Sequence, residues 1–239
     1  MKNILIPTQL EGDTTDAVKL AVAYADKKKC MIYLLQVYDV PDMYSAGWTL
    51  KTMAPQYTAA QSAVLDKCRQ IIDASNNCRL AIHLQYGITK PLLKNLIEHK
   101  DIGLIMLTPM FIKDKKSHVL TKMLPKCTYP LLYLGYNTKS TLFNKALYIE
   151  QEKTTVGLHK VQEIVYSEFN FNIVSRAWVP NEQKPEDLAP LLAEAIFKND
   201  IDLLVETRSA DTEMKRKKNS KSVNEALGMP VLSLHEQLI

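Results

Sequence analysis

Pro91-Leu92-Leu93-Lys94-Asn95-Leu96-Ile97-Glu98-His99-Lys100-Asp101-Ile102-Gly103-Leu104 returns without a gap as Pro190-Leu191-Leu192-Ala193-Glu194-Ala195-Ile196-Phe197-Lys198-Asn199-Asp200-Ile201-Asp202-Leu203, and seven of the fourteen pairs are identical. In each copy an apolar stripe at helical spacing yields to a short apolar run, the signature of a helix that delivers a buried strand. Downstream, Thr108 falls on Thr207, and with one residue inserted Tyr129-Pro130-Leu131-Leu132-Tyr133-Leu134 falls on Met229-Pro230-Val231-Leu232-Ser233-Leu234. Upstream, Lys2-Asn3-Ile4-Leu5-Ile6 resembles Lys145-Ala146-Leu147-Tyr148-Ile149. A period near 100 residues is a whole domain, so the pattern implies tandem duplication and not a solenoid.

Working outward, the first copy reads as strands at 3–8, 30–38, 79–86, 102–108 and 129–134, alternating with helices. Asp13-Thr14-Thr15-Asp16 supplies helix-start chemistry, and Lys27-Lys28-Lys29 closes that helix where cations suit the dipole. A helix from Pro55 carries the stripe Ala59, Ala60, Ala63, Val64, Cys68, Ile71 and Ile72, and another covers 118–126. Alternating strands and helices imply a parallel sheet covered on both faces. The first-to-fourth-strand spacing is 98 residues in the first copy and 54 in the second, so the second lacks about one strand–helix unit. Its strands are expected at 146–150, 171–178, 201–207 and 230–235; whether 171–178 answers to the second or the third strand of the first copy is open. The expected domains are 1–137 and 143–239, joined by a short polar connection over 136–141.

The chain has 239 residues, 46% hydrophobic and 23% charged, with a formal charge of +4. That excess is too small for a dedicated nucleic-acid face, which is disfavoured as a partner. No apolar run spans a bilayer, and the opening Met1-Lys2-Asn3-Ile4-Leu5-Ile6-Pro7 is too soon polar for a secretory leader. Four cysteines without C-x-x-C spacing read as reduced thiols, which places the protein in the cytoplasm. Cys30 and Cys127, near strand starts, read as buried small hydrophobes. Scattered histidines give no metal-ligand spacing, and no serine sits in a nucleophile elbow, so neither metal nor catalytic residues are expected.

These landmarks, in order and seen twice, resemble the universal stress protein family: the opening strand through Pro7-Thr8, Tyr33–Tyr38, Gly87 closing the third strand, Asp101–Met106, and Tyr129–Leu134. The resemblance implies an adenine nucleotide alpha hydrolase-like α/β fold. Two doubly wound parallel-sheet domains are expected in tandem, the first five-stranded in the order 3-2-1-4-5 and the second four-stranded. Family domains pair through their last strands, so strands 130–135 and 230–235 would form an internal pseudo-dimer.

One branch of the family binds ATP through an acid after the first strand and a G-x-x-G…G-[ST] loop after the fourth. Phosphates need backbone N–H groups at close range, which glycine permits. Here Thr108-Pro109-Met110-Phe111-Ile112-Lys113-Asp114-Lys115-Lys116-Ser117-His118 holds no glycine, and Pro109 removes a donor. The family's acid falls on Gln9 and its G-[ST] pair on Ser117-His118. The second loop, 207–222, also lacks glycine and carries Lys215-Arg216-Lys217-Lys218. The implied protein is a non-enzymatic, cytoplasmic stress-response member without cofactor, acting through contacts with a protein partner. The alternative is a nucleotide-binding member with an altered loop, using Thr8, Gln9, Thr108 and Ser117. Lys113, Lys115 and Lys116 read as a solvated loop. Tyr38, at the end of the second strand, and Met43, Tyr44, Trp48 and Met53 in the 39–55 loop are expected to lie back on the core.

Overall fold

The computed structural model describes residues 2–25, 28–40, 56–136, 142–151, 154–179, 185–209 and 227–239. Most of the 39–55 loop, most of the 136–141 connection, and the basic run at 215–218 lie outside the described residues. The chain clusters into two compact units, Met1–Met123 and Leu124–Ile239.

The first unit runs β1 (Asn3–Pro7), α1 (Thr14–Ala25), β2 (Cys30–Tyr38), α2 (Ala59–Asp73), β3 (Cys78–Tyr86), α3 (Lys90–His99), β4 (Ile102–Leu107), α4 (Pro109–Lys113) and α5 (His118–Met123). Its strands lie in the order β3-β2-β1-β4, all parallel. Ile4, Leu5 and Ile6 are wholly buried, as a central strand sandwiched between helix layers requires. Thr58 and Gln61 form a reciprocal capping box at the start of α2. The buried stripe of α2 is Leu65, Cys68 and Ile72, while Ala59, Ala60 and Ala63 are exposed. Alanine is a strong helix former on any face, so its spacing alone misplaces the stripe.

The second unit runs β5 (Leu131–Tyr133), β6 (Lys145–Gln151), α6 (Leu158–Ile164), a π-helical turn over Val165–Phe169, β7 (Asn172–Val179), α7 (Pro185–Asn199), β8 (Leu203–Arg208) and β9 (Val231–His235). Strand order here is β5-β9-β8-β6-β7. The β6–β7, β6–β8 and β8–β9 pairs are parallel, and β5–β9 is antiparallel with Leu132 opposite Leu232. Strand β6 sits between β7 and β8 as β1 sits between β2 and β4, so β7 holds the place of the first unit's second strand. No counterpart of β3 borders β7 among the described residues, and β7 is an edge with Val174, Arg176 and Trp178 exposed. Leu147, Ile149, Leu192, Ile201, Leu204 and Val231 form one core cluster of this unit.

The repeat read from sequence has a backbone correlate. Asp101 and Asp200, the aligned residues between helix and strand, both take left-handed conformations, with φ of 49° and 53°. At the next repeat position but one, Gly103 leaves room that a Cβ would lose, 2.5 Å from the Lys2 Cβ. Asp202 instead uses its carboxylate to accept the Asn144 and Lys145 N–H groups at 2.8 and 3.1 Å.

Candidate functional site

In open parallel sheets the crevice lies beyond the carboxyl ends of strands at the topological switch point. In the first unit that point is the end of β1, between β2 and β4. Thr8 is fully buried there. Its Oγ1 donates to Glu11 Oε2 at 2.9 Å, lies 2.7 Å from Thr14 Oγ1, and accepts the Leu10 N–H at 2.7 Å. These bonds hold Leu10 at φ 62°, a strained conformation for a branched residue, with its side chain buried.

Gln9, on which the family's acid falls, donates from Nε2 to the Val37 carbonyl at 3.1 Å. Its backbone N–H donates to Glu11 Oε2 at 2.9 Å, and its carbonyl accepts from Gln61 Nε2 at 3.0 Å. Carboxylates do stand near this strand end, but two and four residues later, as Glu11 and Asp13. Beyond Gln9, Tyr57 donates its hydroxyl to Gln36 Oε1 at 2.9 Å, and Gln36 is wholly buried. Burial raises the Tyr38 and Tyr57 hydroxyls above their ordinary value, and they hold their protons at neutral pH.

After β4 the chain does not run on as loop to the largely exposed, polar stretch over 113–117, which leads into α5 as expected; a short helix intervenes. The chain enters this helix, α4, at once. Thr108 is the N-cap, its Oγ1 accepting the Phe111 N–H at 3.3 Å, and Pro109 takes the first helical position, where its missing N–H costs nothing. The next donor, Met110 N–H, goes to Asp13 Oδ2 at 2.8 Å. The sequence pattern assigns Asp13 to the start of its own helix. Its carbonyl does accept the Asp16 and Ala17 N–H groups, but its carboxylate crosses to cap the helix after β4. An anion at a helix start is favourable, yet burial outweighs this and raises the Asp13 carboxyl above its ordinary 3.8, against the lowering effect of Met110 N–H and the Thr108 hydroxyl.

Ser117 is buried, but its Oγ donates to Asp114 Oδ2 at 3.1 Å, in a turn that leads into α5. The structure therefore joins Thr8 and Gln9 through Glu11, reaches Thr108 through the Asp13 loop, and commits Ser117 to its own turn. None of these bonds uses the side chain of Lys115, Lys116 or His118. Among the described residues, three buried polar side-chain atoms lack hydrogen-bond partners, all in this unit: Glu11 Oε1, Asp13 Oδ1 and Gln36 Nε2. Sequence reasoning missed Glu11, Gln36, Tyr57 and Gln61. Two acids packed between the end of the first strand and the first helix were the available signal.

In the second unit several polar side chains meet near the matching strand ends. Fully buried Tyr148 brings its hydroxyl 3.4 Å from Thr207 Oγ1, the repeat partner of Thr108, and Thr154 Oγ1 lies 3.3 Å from the same atom. Buried Arg208 donates to the carbonyls of Pro125 and Cys127, both at 3.0 Å, and to those of Tyr129 and Ser233. His235 accepts the Gln237 N–H on Nδ1; burial first, and then Arg208, lower its pKa and keep it neutral. No cluster of three His, Cys, Asp or Glu side chains suited to a metal occurs among the described residues.

No family model matches the chain, and no curated protein matches it either. Solved structures do. A protein of unknown function from Pseudomonas aeruginosa PAO1 is 12% identical, with 100% of this chain and 96% of that one covered at a TM-score of 0.55. A universal stress protein from Archaeoglobus fulgidus DSM 4304 is 12% identical, over 98% and 96% of the two chains, at 0.54. A protein from Pseudomonas aeruginosa UCBPP-PA14 described as a universal stress protein is 12% identical, over 100% and 97%, at 0.54. The architecture is thus an α/β fold with a parallel-dominated sheet and alternating helices. Along its whole length, the chain has the fold of universal stress proteins.

Proposed function

We propose that this is a non-enzymatic stress-response protein that does not bind ATP and acts in the cytoplasm through contacts with a protein partner. One observation carries the reading: the backbone N–H at Met110, where a phosphate would need donors, is taken by the protein's own carboxylate from Asp13. A triphosphate arriving there meets a like charge and a capped helix, and Pro109 removes a further donor. In this reading the chain is a tandem of two related domains, 1–137 and 143–239, that uses its last strands internally as a pseudo-dimer. The antiparallel pairing of β5 with β9 supports the last-strand pairing, although β5 clusters with the second unit and leaves four strands in the first. No catalytic step is assigned, because the hydroxyls of Thr8, Thr108 and Ser117 are all engaged in local structure. No described helix is long and apolar enough to cross a membrane.

A second reading has its own support. The unpartnered Glu11 Oε1, Asp13 Oδ1 and Gln36 Nε2 offer two acceptors and a donor pair to a small polar ligand, a nucleotide among them, held near Thr8, Gln9 and Thr108. Thermal denaturation with MgATP, AMP or cyclic AMP at millimolar concentration separates the two. Ligand that binds only the folded state raises the midpoint by mass action. The first reading predicts no shift with any of the three, and a dose-dependent rise of a few degrees with one of them establishes the second.

A further inference from the structure

Cys30 opens β2 and Cys78 opens β3, and the parallel register sets them directly opposite each other. Register partners on neighbouring parallel strands point their Cβ atoms to the same face, with Cα atoms about 4.8 Å apart. That spacing lies inside the window that a disulfide spans. Both residues are nearly buried, at 5% and 7% exposure, and neither is oxidised. The strand starts are also tied together by backbone, Cys30 N–H donating to the Asn77 carbonyl at 3.1 Å. Cys68 lies on α2 and Cys127 in the second unit, so among the described residues this is the one thiol pair that the sheet register brings face to face.

The geometry points to Cys30 and Cys78 as a thiol pair that peroxides convert to a cross-strand disulfide fastening β3 to β2. One thiolate attacks a peroxide oxygen and the O–O bond breaks, giving a sulfenic acid and, for hydrogen peroxide, water. The second sulfur attacks the sulfenic sulfur, its proton leaves with the departing hydroxide as a second water, and the S–S bond forms. Two thiols are oxidised, one peroxide is reduced, and two waters result. Burial pushes the Cys30 thiol up to about 11, the nearby Cys78 thiol adds to that rise, and Cys78 is itself raised. The pair is therefore slow at neutral pH and responds to sustained oxidant, not to a brief pulse. Its effect falls on β3, the edge strand of the order β3-β2-β1-β4.

The test is peptide mapping of the full chain after prolonged hydrogen peroxide treatment, with free thiols blocked and no reductant. Trypsin releases Cys30 in residues 30–51, Cys78 in 70–79, Cys68 in 68–69 and Cys127 in 127–139. Half-exposed Met110 serves as an internal dosimeter. The expected result is a 30–51/70–79 pair, lighter than the summed thiol peptides by two hydrogens, reversed by dithiothreitol, and a melting midpoint raised by about 5–10 °C. Cys127→Ser keeps the linkage, whereas Cys30→Ala and Cys78→Ala each lose it. The wild-type map decides the matter even if those variants fold poorly. Linkage through Cys68 or Cys127, oxygen adducts at Cys30 or Cys78, or both thiols still free once Met110 is fully oxidised would overturn the assignment.

Discussion

Replacing Asp13 by asparagine and by alanine separates the two things its carboxylate does. The Met110 N–H bond to Oδ2 satisfies a helix-start donor, and losing such a cap costs about 1 kcal/mol. The charge itself works the other way. Burial raises the Asp13 carboxyl above 3.8, with Oδ1 left unpartnered, so the folded chain holds this proton more tightly than the unfolded chain does. The ionised group therefore detracts from stability at neutral pH. That penalty fades as pH falls through the raised folded value, and it is gone below the unfolded value near 3.8. The asparagine side chain keeps an acceptor for the Met110 N–H and carries no charge. Asp13→Asn should thus be at least as stable as wild type at pH 7, with the advantage shrinking toward pH 4. Asp13→Ala should fall about 1 kcal/mol below Asp13→Asn at both pH values, a midpoint difference of about 2–4 °C. Urea denaturation followed by circular dichroism at the two pH values reads both quantities. Asp13→Asn less stable than wild type by more than about 1 kcal/mol at pH 7 would mean that the charge is favourable where it sits, and the reasoning from burial would fail. Equal stabilities for the asparagine and alanine variants would remove the cap.

Other perturbations probe the second unit and the repeat. Arg208→Met strands the carbonyls of Pro125, Cys127, Tyr129 and Ser233 and should cost about 3 kcal/mol or more in urea denaturation, with Arg208→Lys recovering less than half. At Gly135 a Cβ would lie 2.1 Å from the Gly228 carbonyl oxygen, a backbone atom that cannot swing away; Gly135→Ala should cost about 2 kcal/mol and speed amide exchange in β5 and β9. At the left-handed Asp101 and Asp200, glycine should be neutral within about 0.5 kcal/mol, whereas valine should cost about 1 kcal/mol at each position, measured by thermal denaturation.

The sheet was legible because buried parallel strands advertise themselves. Ile4-Leu5-Ile6, Ile32–Leu35 and Leu104–Leu107 are largely apolar runs, and the duplicated helix–strand segment fixed where the second copy's strands fall. The place of β7 was not legible, since periodicity marks a strand without naming its neighbour; the β6–β7 register decides it. Helix α4 was missed because Pro109 reads as a break, although after an N-cap threonine it is a helix-starting residue. The candidate site was half legible. Thr8, Gln9 and Thr108 fall at strand ends that topology brings near one another, but Asp13 reaches Met110 across 97 residues of sequence, and no local pattern encodes that contact. Gln36 carried no signal at all: it is a polar residue within an apolar strand, is wholly buried, and accepts the Tyr57 hydroxyl.

Isothermal titration of the full-length protein with MgATP addresses the central claim directly, namely that the site beyond β1 and β4 is closed to a triphosphate by the protein's own carboxylate. The account predicts heats no larger than dilution up to millimolar nucleotide. A saturable isotherm at micromolar concentration with one or two sites per chain would contradict it.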